Sequence, residues 1–419
     1  MDCVELSYGH SVQTVSRLGV AVVLQTEQSI SADAACEETL VRRALRVPER
    51  MARLRQLVHR GDTVAIVVSD ITRPCPTSRL LPEVLTELAA AGVHDDDVRI
   101  VFALGSHRSL RPEERSRLLG DEIYQQYRCL DSVEGPFVEV GRTSRGTAVQ
   151  VFHPIIEASW RVLIGNIEYH YFAGYTGGAK ALLPGVCSLE TITANHSWMV
   201  DEDACAARIE RNPVREDIEE ALAFVGPSFL LNVVLDHQHR IREAVAGDVR
   251  MAHRRGCQTV DRLYRAVLSE RADIVLASAG GWPKDINLYQ AHKALENAAR
   301  AVRDGGIVIL VAACNEGIGH PRFAEWLTSG DSPQELLDRI RERFVLGGHK
   351  AAAIAKTLRR GVRVFLVSSL DADLVHGMGF MPFQSAQAAL DAARDAKGHS
   401  ALLALMPHAG STMPVVAES

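Results

Sequence analysis

Short apolar runs rich in β-branched residues alternate along the chain with longer stretches whose apolar residues recur at helical spacing. TVAIVVSD (63–70) precedes the helix-like TSRLLPEVLTELAAAG (77–92), which is followed by VRIVFALGSHR (98–108). ADIVLASAGGWP (272–283) and IVILVAACNEG (307–317) flank a second helical stretch in the same way. Alternation of this kind is typical of parallel sheets whose two faces are covered by helices. The pattern therefore predicts the α/β fold class.

The segment FLLNVVLDHQHRIREAVAGD (229–248) departs from this alternation, because two strand-like runs flank the polar turn DHQHR. It predicts a β-hairpin. A long helical stretch (248–270) then leads into the second α/β set, so we place a domain boundary near residue 268. The sequence thus predicts two α/β domains with largely parallel sheets covered by helices, 1–268 and 269–419, and an active site in the cleft between them. The last residues of the chain are candidates to pack back on the N-terminal domain.

Composition and charge exclude several classes of protein. The 419 residues are 47% hydrophobic and 23% charged, which is ordinary for a protein that folds in water. A net charge of −6 lacks the basic footprint of a nucleic-acid binder. The apolar runs are shorter than a bilayer span and the N-terminus has no signal-peptide pattern, so no membrane partner is expected. The eight cysteines form no C-x-x-C pair, which argues against a disulfide framework or a cysteine zinc site and favours a cytoplasmic protein.

Polar motifs follow several of the predicted strands, at the positions where open α/β sheets bind their ligands. In DITRPCP, Asp70 and Thr72 can exchange hydrogen bonds, and the planar guanidinium of Arg73 matches a carboxylate or a phosphate. A structural ion pair is an equally good explanation of Arg73 by itself. In GSHR, a glycine permits a sharp turn beyond which His107 projects. Both motifs are candidates for a site at the strand ends.

The glycine-rich stretch GYTGGAKALLPG (174–185) is similar to a phosphate-binding loop but lacks its usual ending. Ala179 and Ala181 flank Lys180, so the Ser or Thr that holds Mg²⁺ in a nucleotide-hydrolysing loop is absent. The apolar neighbours of Lys180 favour a lowered pKa, and an uncharged amine can bind a cofactor covalently. The glycines make tight turns and are expected to leave room for a flat ring to approach the backbone. A solvated surface charge is the ordinary alternative for this lysine.

Two histidines flank this lysine in the sequence. His170 lies ten residues before Lys180, and His196 lies sixteen residues after it. The aromatic setting NIEYHYFAGY would partly desolvate His170 and keep it neutral near pH 7, as a base or a metal ligand requires. A histidine by itself is more often an ordinary surface or core residue, so it is the clustering with the lysine that favours a site.

A further pair of polar residues lies in the second α/β set. Gln290 and Lys293 are three positions apart, which places them on one face of a predicted helix. Asn287 is a suitable N-cap for this helix. Such a pair is usually only a solvated face, and alone it does not indicate a function.

Taken together, these motifs resemble the lactate racemase family, the enzymes that depend on a nickel-pincer nucleotide. The match runs through DITRP, GSHR, YHYFAGYTGGAKALLPGV, NHSWMV and GGWPKDINLYQAHK, in this order. It extends from about residue 60 to beyond residue 300, and the spacing of His170, Lys180 and His196 agrees with that of the family. DITRP or GSHR alone would be a weak signal, whereas the glycine-lysine motif is specific.

The resemblance implies a bound cofactor, nickel held by pyridinium-3,5-bisthiocarboxylic acid mononucleotide, in the N-terminal domain. Lys180 would carry this nucleotide covalently through a thioamide, and His196 would be a nickel ligand. The residues that would hold the nucleotide end are Asp70, Ile71, Thr72, Arg73 and Pro184. His107 and His170 would be the two acid/base groups. The residues that would bind the substrate are Arg73, Gln290 and Lys293.

The activity that the resemblance implies is that of an isomerase, which inverts the C2 centre of a 2-hydroxy acid, lactate or a close relative, by proton-coupled hydride transfer. Hydride transfer suits this substrate because the neighbouring carboxylate poorly stabilises a carbanion. The expected partners are the small 2-hydroxy acid and, transiently, the enzymes that synthesise the cofactor. Malate or a sugar acid stays open as the substrate, and so does a carrier that binds the nickel cofactor without turnover. A zinc hydrolase built on His170 and His196 ranks lower, because no H-E-x-x-H pattern is present.

Overall fold

A computed structural model of the chain describes residues 3–16, 21–24, 36–236, 238–345 and 347–417. The strands, in chain order, are β1 (Cys3–Tyr8), β2 (Ser11–Ser16), β3 (Ala21–Val23), β4 (Val64–Ser69), β5 (Val98–Ala103), β6 (Arg128–Asp131), β7 (Phe137–Arg142), β8 (Ala148–Phe152), β9 (Trp160–Asn166), β10 (Tyr169–His170), β11 (Gly174–Tyr175), β12 (Ser228–Leu235), β13 (Ile241–Gly247), β14 (Arg265–Leu268), β15 (Ala272–Ser278), β16 (Val302–Val311), β17 (Arg363–Val367), β18 (Met381–Phe383), β19 (Leu403–Met406) and β20 (Met413–Val416).

The α-helices lie between these strands, as the alternating pattern predicts. In chain order they are α1 (Glu37–Arg46), α2 (Leu54–Leu57), α3 (Thr77–Ala90), α4 (Pro112–Leu119), α5 (Asp121–Gln126), α6 (His153–Glu157), α7 (Leu189–Ser197), α8 (Pro213–Ala221), α9 (Val249–Tyr264), α10 (Leu288–Ala301), α11 (Pro321–Leu327), α12 (Pro333–Glu342), α13 (Gly348–Arg359), α14 (Ala372–Gly377) and α15 (Ala386–Lys397). Short 3-10 turns occur at Asp95–Asp97, Ser132–Glu134, Gly178–Ala181, Trp198–Val200 and Leu222–Phe224. None of the helices in the described ranges is long and apolar enough to cross a membrane.

The described residues form two compact units, one from the range 29–263 and the other from the ranges 1–28 and 264–419. The structure therefore differs from the predicted division at 268, because the start of the chain joins the C-terminal unit, where β3 pairs in parallel with β19. The end of the chain belongs to this same unit rather than to the N-terminal one, since β20 pairs with β14. The helix predicted through residue 270 ends at Tyr264, and RAVL forms β14 because it finds a strand partner there.

In the unit 29–263, six strands form one sheet in the order β13-β12-β9-β4-β5-β6. Adjacent strands in this sheet run parallel to each other, except β12 and β13, which are antiparallel and form the predicted hairpin. Nearly every residue of β4 is buried, as is every residue of β12. Leu81 and Val84 of α3 belong to the same core cluster as Ile66 and Val68 of β4. Burial on both faces is what a helix-covered parallel strand requires.

In the other unit, six parallel strands form a sheet in the order β18-β17-β16-β15-β19-β3. The apolar face of α15, with Ala389 and Leu390, packs in one cluster with Ile274 and Ile309 of the central strands. Leu6 and Val15 of the β1–β2 hairpin are buried in that cluster too. The predicted fold, two α/β units with largely parallel sheets covered by helices, is confirmed.

Later strands are added to the sheet on both sides of β4, and this strand order places a crevice at the carboxyl end of β4. From β4 the chain adds β5 and β6 on one side, then returns to place β9, β12 and β13 on the other. Open α/β sheets bind ligands where the strand order reverses in this way. The loops that follow β4, β5 and β9 begin at Asp70, Leu104 and Ile167, so the DITRP, GSHR and glycine-lysine motifs meet at this edge of the sheet.

Candidate active site

Asp70, at the end of β4, connects the DITRP motif to the GSHR motif and is only 4% exposed. Its Oδ1 accepts hydrogen bonds from the backbone N–H and the hydroxyl of Thr72, at 2.9 and 2.6 Å, and its Oδ2 accepts one from Nδ1 of His107. Burial alone would raise the pKa of Asp70, but the bonds from His107 and Thr72 and the charge of Arg73 lower it. Because a carboxylate only accepts, Nδ1 of His107 is the donor, and in the neutral ring the lone pair is therefore on Nε2.

Lys180 lies in the turn Gly178–Ala181 and is 8% exposed. Its Nζ lies 5.7 Å from the centre of the Phe172 ring. Burial lowers the pKa of Lys180 well below its usual value, and the positive charges of Arg215 and Arg73 lower it further. These surroundings favour the uncharged amine that the sequence predicts.

The glycines before Lys180 are packed against other parts of the protein. A Cβ on Gly177 would lie 2.5 Å from Oδ1 of Asn232, and one on Gly178 would lie 2.8 Å from the ring of His253. Both glycines also have positive φ angles, 71° and 61°, which other residues rarely adopt. The expectation that they leave room for a flat ring is therefore wrong at these two positions. They allow the turn to pass close to β12 and α9.

An aromatic cluster places His170 and His196 against Phe172, whose ring centre lies 4.5 Å from the first imidazole and 4.9 Å from the second. Nδ1 of His170 accepts a hydrogen bond from the backbone N–H of Ala173 at 3.2 Å, so Nε2 carries the proton in the neutral ring. Burial lowers the pKa of His170 well below its usual value, and the positive charge of Arg73 lowers it further. His170 is therefore a neutral imidazole, as expected from its aromatic setting.

The other residues predicted to hold the nucleotide lie at the same strand ends. Ile71 is exposed, and Arg73 is partly exposed with its Nη1 3.8 Å from Oε1 of Glu168. At this distance the ion pair between Arg73 and Glu168 is weak, so Glu168 competes only weakly with an anionic ligand for the guanidinium. A Cβ on Gly105 would lie 3.5 Å from the carbonyl oxygen of Pro184, so the exit of the lysine loop contacts the GSHR loop.

Gln290 and Lys293 belong to the other unit, on α10. Asn287 caps this helix, because its Oδ1 accepts a hydrogen bond from the backbone N–H of Gln290 at 3.0 Å, as predicted. Both predicted substrate residues are exposed. Their part in substrate binding stays a prediction, whereas the other candidate residues all come from the unit 29–263.

Arg215, on α8, is a charged residue near Lys180 that the sequence did not single out, and it is 0% exposed. Its Nε donates a hydrogen bond to the carbonyl oxygen of Ala173 at 3.0 Å, and its Nη2 donates to that of Tyr175. Nη1 has no hydrogen-bond partner within the described ranges. Burial lowers the pKa of Arg215 to about 10, so it stays charged at neutral pH. A buried positive charge thus holds the backbone that leads into the lysine loop.

Arg215→Met is expected to make Lys180 less reactive at neutral pH. The charge of Arg215 lowers the pKa of Lys180, so its removal raises that pKa, and each unit of rise reduces the uncharged fraction about tenfold. Burial remains, so reactivity falls without disappearing. The measurement is the rate of Lys180 acetylation in the apoprotein as a function of pH, followed by peptide mass spectrometry. Arg215→Lys keeps a charge there and is the matched control; identical profiles for all three proteins would contradict the expectation.

The donor set of this site fits a cofactor that brings its own metal ligands. Within the part of the chain that the structure describes, no group of three or more His, Cys, Asp and Glu side chains is placed to hold a metal ion. His196 can offer one imidazole nitrogen, and Lys180 an uncharged amine for covalent attachment. A zinc cage of His170, His196 and a third such side chain is not formed by these residues. A nucleotide that supplies the remaining ligands is compatible with them.

Comparisons with known proteins match both units. The family models "Lactate racemase N-terminal domain" and "Lactate racemase C-terminal domain" match residues 8–207 and 267–413. The lactate racemases of Thermoanaerobacterium thermosaccharolyticum and Lactiplantibacillus plantarum are 31% and 30% identical over 380 residues, which cover 88% of this chain and 89% of each relative. The lactate racemase apoprotein from the former organism has a TM-score of 0.90 at 30% identity, covering 99% of this chain and 100% of that one. A Thermotoga maritima protein, with a TM-score of 0.63 and 16% identity over 91% of this chain and 98% of that one, shares the fold alone.

Proposed function

This chain belongs to the lactate racemase family, and we propose that it is an isomerase that inverts the C2 centre of a 2-hydroxy acid, lactate or a close relative, with a nickel-pincer nucleotide held on Lys180. The observation that carries the proposal is the environment of Lys180, a buried amine whose pKa is lowered by burial and by two arginines. Such an amine is suited to acylation, whereas a solvated ammonium is not.

The protein residues proposed to hold the cofactor come from two loops and from helix α7 of one unit. Lys180 would attach the nucleotide, and His196 would give a ring nitrogen to nickel. The residues proposed for the nucleotide end are Asp70, Ile71, Thr72, Arg73 and Pro184. When bound, this cofactor supplies a hydride acceptor and donor. The remaining chemistry, which is the movement of the hydroxyl proton and the placement of the carboxylate, falls to the side chains.

His107 is proposed to take the hydroxyl proton of the substrate as the α-hydrogen leaves. Its Nε2 carries the lone pair because Nδ1 donates to Asp70. The imidazolium that forms is stabilised by the adjacent carboxylate, which is buried and keeps its charge. The same imidazolium returns the proton to the C2 oxygen when the alcohol is re-formed, and the centre is inverted when the hydrogen at C2 has returned to the opposite face of the planar keto acid. His107 and Asp70 therefore act as one unit, in which Asp70 is the positioning residue.

His170 is proposed as the second acid/base group. Its neutral ring has the proton on Nε2, because Nδ1 accepts from the Ala173 N–H. In this state it donates a hydrogen bond to the oxygen at C2, and a neutral imidazole with a lowered pKa is suited to that task. The two histidines thus begin in complementary states, one ready to accept a proton and the other ready to donate a hydrogen bond.

The substrate carboxylate is proposed to bind Arg73, whose partly exposed guanidinium offers a bidentate fork. Gln290 and Lys293 remain candidates for the same anion. A carrier that binds the cofactor without turnover has no need of the Asp70–His107 pair, so the contacts of His107 favour an enzyme. Malate and sugar acids stay open as substrates.

A chiral assay of the holoprotein tests the proposed function. The chain is produced together with enzymes that synthesise the cofactor, and each enantiomer of lactate, 2-hydroxybutyrate, malate and a sugar acid is incubated with it. We expect lactate or a close aliphatic relative to reach an equal mixture of enantiomers fastest. Fastest turnover of malate or of the sugar acid would replace the proposed substrate. Loaded protein that racemises none of the panel would support the carrier instead.

A further inference from the structure

Asn195, next to the proposed nickel ligand on α7, is completely buried and its amide orientation is determined by its neighbours. The Nδ2 group donates hydrogen bonds to Oδ2 of Asp217 at 2.8 Å and to the carbonyl oxygen of Val214 at 3.2 Å. Both partners are acceptors, so the NH₂ group must face α8. The amide oxygen therefore faces the other way, and Oδ1 lies 3.1 Å from Nδ1 of His196.

Asp217, on α8, anchors this arrangement and is also completely buried. Its Oδ1 accepts a hydrogen bond from the Thr143 hydroxyl at 2.5 Å, and its Oδ2 accepts one from the Thr147 hydroxyl at 2.9 Å in addition to that from Asn195. The Thr143 hydroxyl itself accepts from the backbone N–H of Thr147 at 3.2 Å, which leaves its own proton for Asp217. The Asp217 carboxylate thus accepts a hydrogen bond in every one of these contacts. In its contact with Asn195, the amide NH₂ group must therefore be the donor.

The state of the His196 ring follows from these contacts. An amide oxygen can only accept, so Nδ1 of His196 must be the donor of the 3.1 Å hydrogen bond to Asn195. In the neutral imidazole the lone pair is then on Nε2. A neutral histidine without such a partner favours the opposite form in water, with the proton on Nε2. The hydrogen bond made by one ring nitrogen determines which nitrogen can bind a metal.

We propose that Asn195 and Asp217 are positioning residues that hold His196 with its proton on Nδ1, so that Nε2 presents its lone pair to the metal. The inference rests on the proposed function for the identity of that metal, and on the contacts of this chain alone for the state of the ring. Neither residue touches the reacting atoms. Residues that orient a histidine ligand in this way typically change metal affinity by about 10–100-fold when they are replaced.

The first test is made on the apoprotein and needs no cofactor. Two-bond ¹H–¹⁵N correlation spectra of ¹⁵N-histidine protein distinguish the two neutral forms, and His196→Gln assigns the signals. The wild type is expected to show protonated Nδ1 and unprotonated Nε2. Asn195→Ala removes the acceptor and is expected to shift His196 to the Nε2–H form. Thr193→Ala, at an exposed position of the same helix, is the matched control and should leave the spectrum unchanged.

The second test measures how fast loaded protein loses nickel to a chelator. Asn195→Ala is expected to lose it about 10–100-fold faster than the wild type, with the mass of the adduct on Lys180 unchanged. Asp217→Asn keeps the volume of the side chain and should give a change in the same direction if Asn195→Ala does not fold. An Nε2–H signal for His196 in the wild type, or unchanged nickel loss in both variants, overturns the inference. If the wild type shows the Nδ1–H signal but holds no nickel, the proposed function is overturned, and so is the role of Asn195 and Asp217 in metal binding. The inferred protonation state of the His196 ring is then still supported.

Discussion

Lys180→Ala is expected to reduce racemisation to the uncatalysed background and to abolish the covalent adduct. The reason is that Lys180 combines burial with a lowered pKa, so it is the amine in this unit whose surroundings suit acylation. The intact mass of protein produced together with the cofactor-synthesis enzymes reports the adduct, and chiral chromatography reports turnover. An adduct that persists in the variant would place the attachment elsewhere and remove the basis of the proposed function.

A companion variant, Lys180→Met, separates attachment from stability. Because the folded-state pKa of Lys180 is lowered, the wild-type apoprotein has its full stability only above the usual pKa of lysine, and it loses part of it as the pH falls toward the folded-state value. The Lys180→Met variant has no titrating group at this position, so it does not lose this part of its stability as the pH falls. The melting temperature of Lys180→Met relative to the wild type should therefore increase from high pH to neutral pH. A difference that is the same at every pH would contradict the lowered pKa.

The second large effect is expected for Asp70→Asn, which should lower kcat by about 10²–10⁴-fold. An asparagine amide can donate to Nδ1 of His107, which would put the histidine proton on Nε2 and remove the base. The imidazolium would also lose the carboxylate that stabilises it. Steady-state racemisation as a function of pH is the measurement, because a positioning role changes the pH profile as well as the rate.

Thr72→Val is the control for this variant, since it removes one of the bonds to Oδ1 and leaves the bond between Oδ2 and His107. Because Thr72 is also proposed to hold the nucleotide, kcat is compared per loaded protein, and on that basis Thr72→Val should change it far less than Asp70→Asn does. The mass of the adduct on Lys180 then distinguishes the two roles of Asp70. Full loading with low kcat assigns its effect to His107, whereas poor loading assigns it to the nucleotide. Unchanged kcat in Asp70→Asn would contradict the proposed unit of Asp70 and His107.

Much of the fold could be predicted because its signals are local. The alternation of β-branched runs and amphipathic stretches indicated both parallel sheets, and the turn DHQHR indicated the hairpin of β12 and β13. Asn287 was recognised as an N-cap because a cap depends on residues only three positions apart. The resemblance to the family rested on motifs of the same short range, and the comparisons confirmed it.

The division into units could not be predicted, because strand pairing across most of the chain leaves no local signal. β3 joins the sheet of the C-terminal unit through β19, and RAVL is a strand only because β20 lies beside it. A strand of only three or four residues has too weak a sequence pattern to be predicted, because its conformation depends on the neighbouring strand with which it forms hydrogen bonds. The same reason explains why Gly177 and Gly178 were misinterpreted. The atoms that require them to be glycines belong to Asn232 and His253, far along the chain.

Residue types and short spacings are thus sufficient to predict the α/β class, the family and the identity of the chemical groups. The protonation and orientation of those groups follow from the folded chain. Asp70 orients His107 through a hydrogen bond, and burial together with the charge of Arg215 lowers the pKa of Lys180; both effects join loops or helices that are separated in sequence. In NPVREDIEEA, charged residues stand beside apolar residues that are buried in the structure. This pattern indicates that some of the charged side chains are buried as well, but it does not indicate which residues they contact. Protonation and orientation depend on burial and on through-space neighbours, and those exist only in the folded chain.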